Sequence, residues 1–421
     1  MESPRQTNIA VIIPVLNARD DLPECLTALS RQQDVRFDTI VVDNGSTDGS
    51  AEYVAEQWPN VSLICNSSNV GFARACNQGI DAAGEGSILV LLNSDTQVFP
   101  DWLSTLVAPM KADDSIGITG SKTLYPNGAI EHAGGRVDSR GIGHHIGQGE
   151  RERGEFNHMR EVDYVTGASL AISPVAFRRV GKLDEMFSPI YYEDVDWCYR
   201  VRRAGYRVVY APHSRLIHKA NSTMLHRGYE SEYMVHRLRL RFLLKHWSLD
   251  ELVDTFIPAE RRWLNSLGWQ GEEIIAAMHR AYLYQFLHLD EIVTARQASF
   301  PKAEEEVDGL AAILLGLRAV YPLRPASLVN SPGAFAAGNR PAIQPDRFSK
   351  MVAGFRRRYP RASRSALFSP ITRLLVQLTN QQQLANVLVE YIRENNREIS
   401  ELAQEVEVLK KQIAEHQDAG E

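Results

Sequence analysis

The chain has 421 residues, 44% hydrophobic and 23% charged, which fits two or three folded domains and excludes a wholly disordered protein. Its 46 Lys+Arg against 52 Asp+Glu leave a formal net charge of −6, so nothing in the overall charge points to nucleic acid as a partner. Cys25, Cys65, Cys76 and Cys198 form no C-x-x-C pair, so neither a zinc ribbon nor a disulfide framework is expected, and a reducing cytoplasm fits best. Apolar runs such as Ile88–Leu92 and Leu310–Leu315 fall short of the roughly 20 residues a membrane span needs, and Met1–Thr7 lacks a signal-peptide layout. The expectation is a cytoplasmic protein that neither spans a membrane nor is exported by the usual route.

From Asn8 to Lys122, β-branched runs alternate with helical patterns. Strands are predicted at Ile9–Ile13, Thr39–Val42, Val61–Ile64, Ser87–Leu92 and Ile116–Gly120, with helices at Asp20–Gln33, Ser50–Gln57, Ala73–Ala83 and Asp101–Lys111. This β-α-β alternation predicts a doubly wound parallel sheet, with ligand beyond the carboxyl ends of its strands. Tyr125–Arg160, rich in Gly, His and charge, reads as a long loop over the sheet edge of the kind that carries substrate contacts, with His144 and His145 in it. Regular structure resumes at Val162–Gly167 and Ser169–Ser173, followed by a helix at Glu193–Ala204 and a strand at Arg207–Tyr210.

Beyond Tyr229 the pattern is helical, through Tyr233–His246, Leu249–Phe256, Glu272–Leu287 and Val307–Val320. The division expected is an α/β domain at 8–245, a helical appendage at 246–321, a linker with a basic stretch at 322–370 and a C-terminal helix at 371–418. Between Arg347 and Val389 stand eight Lys/Arg and no acidic residue, a stretch suited to peripheral contact with an anionic membrane face. In the last segment Ala385, Ile392, Ile399, Val406 and Ile413 occupy heptad position a, and Leu388, Asn395, Leu402, Leu409 and His416 occupy d. β-Branched residues at a with Leu at d predict a parallel coiled-coil homodimer.

The chemistry concentrates in the turns after the strands. Pro14-Val-Leu-Asn17 follows the first strand and Asp43-Asn-Gly-Ser-Thr-Asp48 the second. Asn69-Val-Gly-Phe-Ala-Arg74 puts Gly71 where backbone must approach something closely, with Arg74 one helical turn on. Asn93-Ser-Asp95 closes the fourth strand with a carboxylate suited to a hard divalent cation that bridges two phosphates. Glu193 and Asp194 open an amphipathic helix. Capping the helix dipole needs one carboxylate, and this turn carries two, which leaves one for acid–base work.

These motifs, in this order, resemble the inverting family 2 glycosyltransferases and especially their rhamnosyltransferase-like branch, over roughly Asn8–Leu244. The resemblance implies a GT-A fold, a nucleotide diphosphate sugar donor such as dTDP-rhamnose, a Mg²⁺ or Mn²⁺ cofactor, and a glycan or lipid-linked glycan acceptor. It implies that Asp43 meets the base or ribose and that Pro14, Asn17, Asn69, Gly71, Arg74 and Asn93 line the donor. Arg215 would meet the diphosphate, Asp95 and His218 would hold the metal, Asp194 would be the base, and Glu193 would orient the acceptor. Asn93 departs from the usual Asp-x-Asp and removes one negative charge from the metal's surroundings. The competing expectation is a non-catalytic scaffold that binds nucleotide sugar and is organised by the coiled coil. Intact carboxylates at 43, 95 and 194 favour the enzyme. For the heptad segment, light scattering should show a dimer for the full chain and a monomer for a chain ending near Ser369; a monomeric full chain at micromolar concentration would overturn the coiled-coil reading.

Overall fold

The computed structural model describes residues 8–219, 229–267 and 272–320. The linker, basic stretch and heptad segment expected from residue 322 onward lie outside the described residues.

The first half follows the alternation expected. Strands β1 (Ile9–Val15), β2 (Asp38–Asp43), β3 (Ser62–Cys65) and β4 (Ile88–Leu92) alternate with helices α1 (Leu22–Ser30), α2 (Ser50–Gln57) and α3 (Phe72–Ala82). β1 pairs parallel with β2 and β4, and β2 with β3. Every residue of β1 and β4 is buried, as near-continuous apolar runs in a covered parallel sheet should be. Ile9, Val11, Ile13 and Val15 share a core with Leu22, Cys25, Leu26 and Leu29 of α1 and with Trp102, Leu103 and Leu106. The 1, 4, 5, 8 spacing on α1 is one helical face. On the other side of the sheet, a Cβ at Gly79 of α3 would stand 2.4 Å from the Ile12 side chain, so glycine lets the helix lie directly on β1.

The second half corrects the expectation of a purely parallel sheet. After β5 (Thr96–Val98) and α4 (Trp102–Ala112) come β6 (Ile116–Leu124), β7 (Ile130–His132), β8 (Gly135–Val137), β9 (Gly143–His145), β10 (Arg160–Glu161) and β11 (Ser169–Ile172). β11 runs antiparallel between β4 and β6. No helix carries the chain back beneath the sheet between β6 and β11, and a strand entered from the end at which its neighbour finished can only pair antiparallel. The segment expected to be loop at 125–160 holds β7, paired with β6, and the β8–β9 hairpin. Among the described residues ten strands make one mixed sheet in the order β10-β12-β6-β11-β4-β1-β2-β3, with β5 on β12 and β7 on β6.

α5 (Pro174–Val180) and α6 (Glu193–Arg203) lead into β12 (Arg207–His218). β12 continues eight residues past the predicted end at Tyr210. It pairs parallel with β6 until a register shift between Ala211 and Arg215, then pairs with β6 again through Ile217 and with β5 through His218. Pro212 sits inside this bulge, where the missing N–H costs no ladder bond. Ser214 in the bulge anchors to Ser121 at 2.8 Å and to the Trp102 carbonyl at 3.0 Å.

Helix α7 (Tyr229–His246) is followed by the one-turn α8 (Leu249–Glu251), then α9 (Ile257–Ser266), α10 (Glu272–Leu287), α11 (Leu289–Arg296) and α12 (Val307–Val320). Two buried ion clusters fasten α7. The Arg239 guanidinium donates to both Glu260 oxygens at 2.9 and 2.6 Å, and Tyr282 donates to the same carboxylate at 2.7 Å. Asp196 of α6, fully buried, accepts from Arg200 at 2.8 Å, Lys245 at 2.5 Å and His246 at 2.7 Å. Burial opposes its charge, but Arg200, Lys245 and His246 outweigh that and hold the carboxyl well below the usual range. A depressed native pKa gives stability that is present above the unfolded value of about 3.9 and is lost as the pH falls through the folded value. Asp196→Asn leaves Arg200 without its counter-charge and Lys245 with Asp184 alone, at 2.6 Å, and should destabilise the protein by about 3–5 kcal/mol, read as a lower urea midpoint at neutral pH.

Candidate active site

The turns beyond β1, β2 and β3 are stitched into one surface by their own polar side chains. Asn17, at φ 50°, donates its backbone N–H to the Ser46 hydroxyl at 2.9 Å and accepts the Thr47 N–H on Oδ1 at 2.9 Å. Asp48 accepts the Arg19 N–H at 2.9 Å and the Ser50 hydroxyl at 2.6 Å. Asn44, buried, donates to Asn69 at 2.9 Å and accepts the Val70 N–H at 3.0 Å. Gly71 opens α3 at φ 92° and ψ 155°, a region essentially reserved for glycine, and a Cβ there would lie 2.8 Å from the Ser188 hydroxyl. Pro14 is buried in β1 opposite Val42. Asp43, 3% exposed, accepts the Ser46 N–H on Oδ2 at 3.1 Å, while its buried Oδ1 has no hydrogen-bond partner. Asn93 Oδ1 is likewise buried and unpartnered. Two unsatisfied acceptors on one strand-end rim are groups that a ligand's N–H or O–H would satisfy.

Asp95 and His218 meet because β5 pairs with the end of β12, with His218 opposite Thr96. The Lys219 N–H donates to the Asp95 carbonyl at 3.0 Å, closing the juncture. His218 Nε2 lies 3.2 Å from Asp95 Oδ1 without a directed hydrogen bond, and Nδ1 lies 2.8 and 2.9 Å from the two oxygens of Glu131. Burial works against the imidazolium, but the Asp95 and Glu131 carboxylates outweigh it and push His218 up to about 10. Among the described residues no three His, Cys, Asp or Glu side chains converge on one cation position. Asp95 Oδ1 and His218 Nε2 still fit a hard divalent ion as two protein ligands, the other positions being left to phosphate oxygens and water. His218 would then have to give up its Nε2 proton.

Ahead of α6, Tyr191 and Tyr192 take positive φ, 92° and 67°, a costly conformation for bulky residues. Tyr192 is held there by its hydroxyl on the Gly141 carbonyl at 2.9 Å and by its ring against Phe242. The turn delivers Glu193 and Asp194 to the N-terminus of α6. Asp194, half-buried, accepts the Gly167 N–H on Oδ2 at 2.8 Å. The adjacent Ala168 carbonyl accepts the Asn93 N–H at 3.1 Å, so one dipeptide links this carboxylate to the Asp95 turn. Burial pushes Asp194 up, against the Gly167 and Val195 N–H groups and His145. Glu193, 4% exposed with Oε2 unpartnered, is pushed further up by burial and then by Asp194. The three acids of this motif therefore differ: Asp196 is paired and anionic, and the other two are held toward their neutral forms.

Arg74 is exposed on the first turn of α3. Arg215 is not brought to the Asp95–His218 pair. Its guanidinium stacks 4.6 Å over the Phe99 ring, and strand alternation sends it to the face opposite His218. Sequence reasoning missed Glu131, which carries no periodic signal in a stretch read as loop, and Tyr164, whose ring stands 6.1 Å from His145 and 5.7 Å from His132.

Residues 10–149 match the family described as Glycosyl transferase family 2. Among curated proteins, the chain is 29% identical to the uncharacterized protein y4gI of Sinorhizobium fredii, over 58% of this chain and 28% of that one. It is also 29% identical to the N-acetylglucosaminyl-diphospho-decaprenol L-rhamnosyltransferase of Mycobacterium tuberculosis, over 48% of this chain and 73% of that one. Among solved structures, GalNAc-T7 with UDP, GalNAc and Mn²⁺ aligns with a TM-score of 0.47 at 19% identity, over 59% of this chain and 49% of that one. The motif-bearing strand ends, from Pro14 to Asp95, lie within the residues that match glycosyl transferase family 2.

Proposed function

We propose that the protein transfers one sugar from a nucleotide diphosphate sugar to a hydroxyl of a glycan or lipid-linked glycan, with inversion at the anomeric carbon. The observation that carries this reading is Asp194: a carboxylate fixed at a helix N-terminus by the Gly167 N–H, raised in pKa by burial, and tied through residues 167 and 168 to the turn that bears Asp95. A base of that kind removes the acceptor proton as the hydroxyl oxygen attacks C1 from the face opposite the leaving nucleoside diphosphate. Glu193 beside it, held toward its neutral form, would orient the acceptor. Asp43 Oδ1 and Asn93 Oδ1 would accept hydrogen bonds from the donor, and Asn17, Asn69 and Gly71 would shape its berth. Asp95 and His218 would hold Mg²⁺ or Mn²⁺, which supplies charge neutralisation for the departing diphosphate. The name of the Mycobacterium tuberculosis relative supports a rhamnose donor and a lipid-linked acceptor as the first pair to test.

With Asp194 as base, activity is present above its pKa and lost as the pH falls through it, at a midpoint above the ordinary aspartate range. Asp194→Asn should lower turnover about 10²–10⁴-fold and abolish that acid limb while donor binding persists. Activity near that of the wild type would remove Asp194 from the role. Turnover should also vanish in EDTA and return with Mn²⁺ or Mg²⁺; undiminished rates in chelator would overturn the metal assignment.

A further inference from the structure

Glu131 belongs to none of the motifs that mark the site, yet it makes the closest polar contact to His218. It sits in β7, which pairs antiparallel with the end of β6, while His218 ends β12 on the other side of β6. The carboxylate is 8% exposed and presents both oxygens to His218 Nδ1, at 2.8 and 2.9 Å. A carboxylate only accepts, so Nδ1 must carry a proton, and the lone pair of a neutral His218 can lie only on Nε2. Nε2 is the atom that faces Asp95 at 3.2 Å. An acid with its strongest contact on the far nitrogen of a histidine fixes both the tautomer and the ring plane, and it raises the basicity of the near nitrogen.

We propose that Glu131 is a positioning residue that locks His218 as the Nδ1–H tautomer and aims Nε2, with Asp95, at a divalent cation. This rests on the metal reading of Asp95 and His218 given above. The antiparallel β6–β7 turn then has a function beyond covering the sheet edge, because it brings a carboxylate behind a ligand contributed by β12.

The test measures Mn²⁺ binding by the loss of the free-ion paramagnetic resonance signal, on the full chain loaded with whichever of UDP, TDP or GDP raises its melting temperature. Glu131→Gln keeps the shape and one acceptor but loses the charge. It should weaken Mn²⁺ about 10–100-fold while metal-free nucleotide binding stays unchanged. In a His218→Asn background the same substitution should add nothing, since Glu131 acts only through that imidazole. Wild-type Mn²⁺ affinity in Glu131→Gln, or an equal loss in both backgrounds, overturns the proposal and leaves the metal reading standing. Failure of the wild type itself to bind Mn²⁺ overturns the metal reading and the positioning role with it. If Glu131→Gln does not fold, the ¹⁵N histidine spectrum of the Mg²⁺- and nucleotide-loaded wild type decides, with His218 assigned by its absence in His218→Asn. A protonated Nδ1 is expected, and a proton on Nε2 overturns the assignment.

Discussion

The site depends on how one strand ends. β12 leaves the β6 ladder at Ala211, rejoins it at Arg215, and spends its last three residues paired with β5 as well. β6 and β5 take the two opposite edges of this strand end, and the bulge resets the register in which β12 meets β6. The bulge is pinned from inside by Ser214, Ser121, Ser169 and the Trp102 indole, which form a buried hydrogen-bond cluster with contacts between 2.6 and 3.0 Å. Buried hydroxyls that satisfy one another specify a single arrangement where apolar packing would tolerate several. The juncture of Asp95 with His218, and Glu131 behind it, inherits its geometry from that cluster.

The Glu193–Asp196 motif shows how little of a carboxylate's behaviour belongs to its residue type. Asp196 points into the body, where three cationic or protonatable partners hold it anionic. Asp194, two residues earlier, faces the Gly167 backbone and is raised by burial instead. Helical geometry makes the divergence unavoidable, because residues two apart lie on nearly opposite sides of the helix. One acid can therefore fasten the helix to α7 while its neighbour stays free of strong cationic partners, as a proton acceptor requires. The structural and chemical demands on this motif are separable, and a loss of stability in one acid and a loss of turnover in the other should not be read as the same defect.

The first half of the fold was legible because its signals are local. Buried runs in β1 and β4, the one-sided face of α1, and the polar turns after each strand follow from short stretches of chain. The β11 segment was legible only as regular structure, and its antiparallel direction was not, since that pairing depends on the path of some forty residues before it. The end of β12 was hidden by Pro212, a sound stop signal for a regular strand and a tolerated residue in a bulge. That error also hid the alternation that turns Arg215 away from His218. Asp43, Asp95 and Asp194 could be singled out because each sits in a motif, and His218 only through the family resemblance. Glu131 could not, because its meaning arises only when β6, β7 and β12 are assembled.

The unsatisfied atoms around this rim reveal a further constraint. Asp43 Oδ1, Asn93 Oδ1 and Glu193 Oε2 are buried without hydrogen-bond partners, each at a cost of about 1–3 kcal/mol. Water could relieve some of that cost, yet the three belong to two separate strand ends and one helix start, so no single local rearrangement satisfies them together. A protein selected for stability alone would replace such groups with apolar ones of the same shape. Their retention on one rim, beside turns that stitch themselves together with well-made hydrogen bonds, places the unsatisfied groups where the proposed donor and acceptor would complete them. Part of the binding energy would then serve to relieve desolvation already incurred in folding, and affinity for the donor would be linked directly to the stability of the rim.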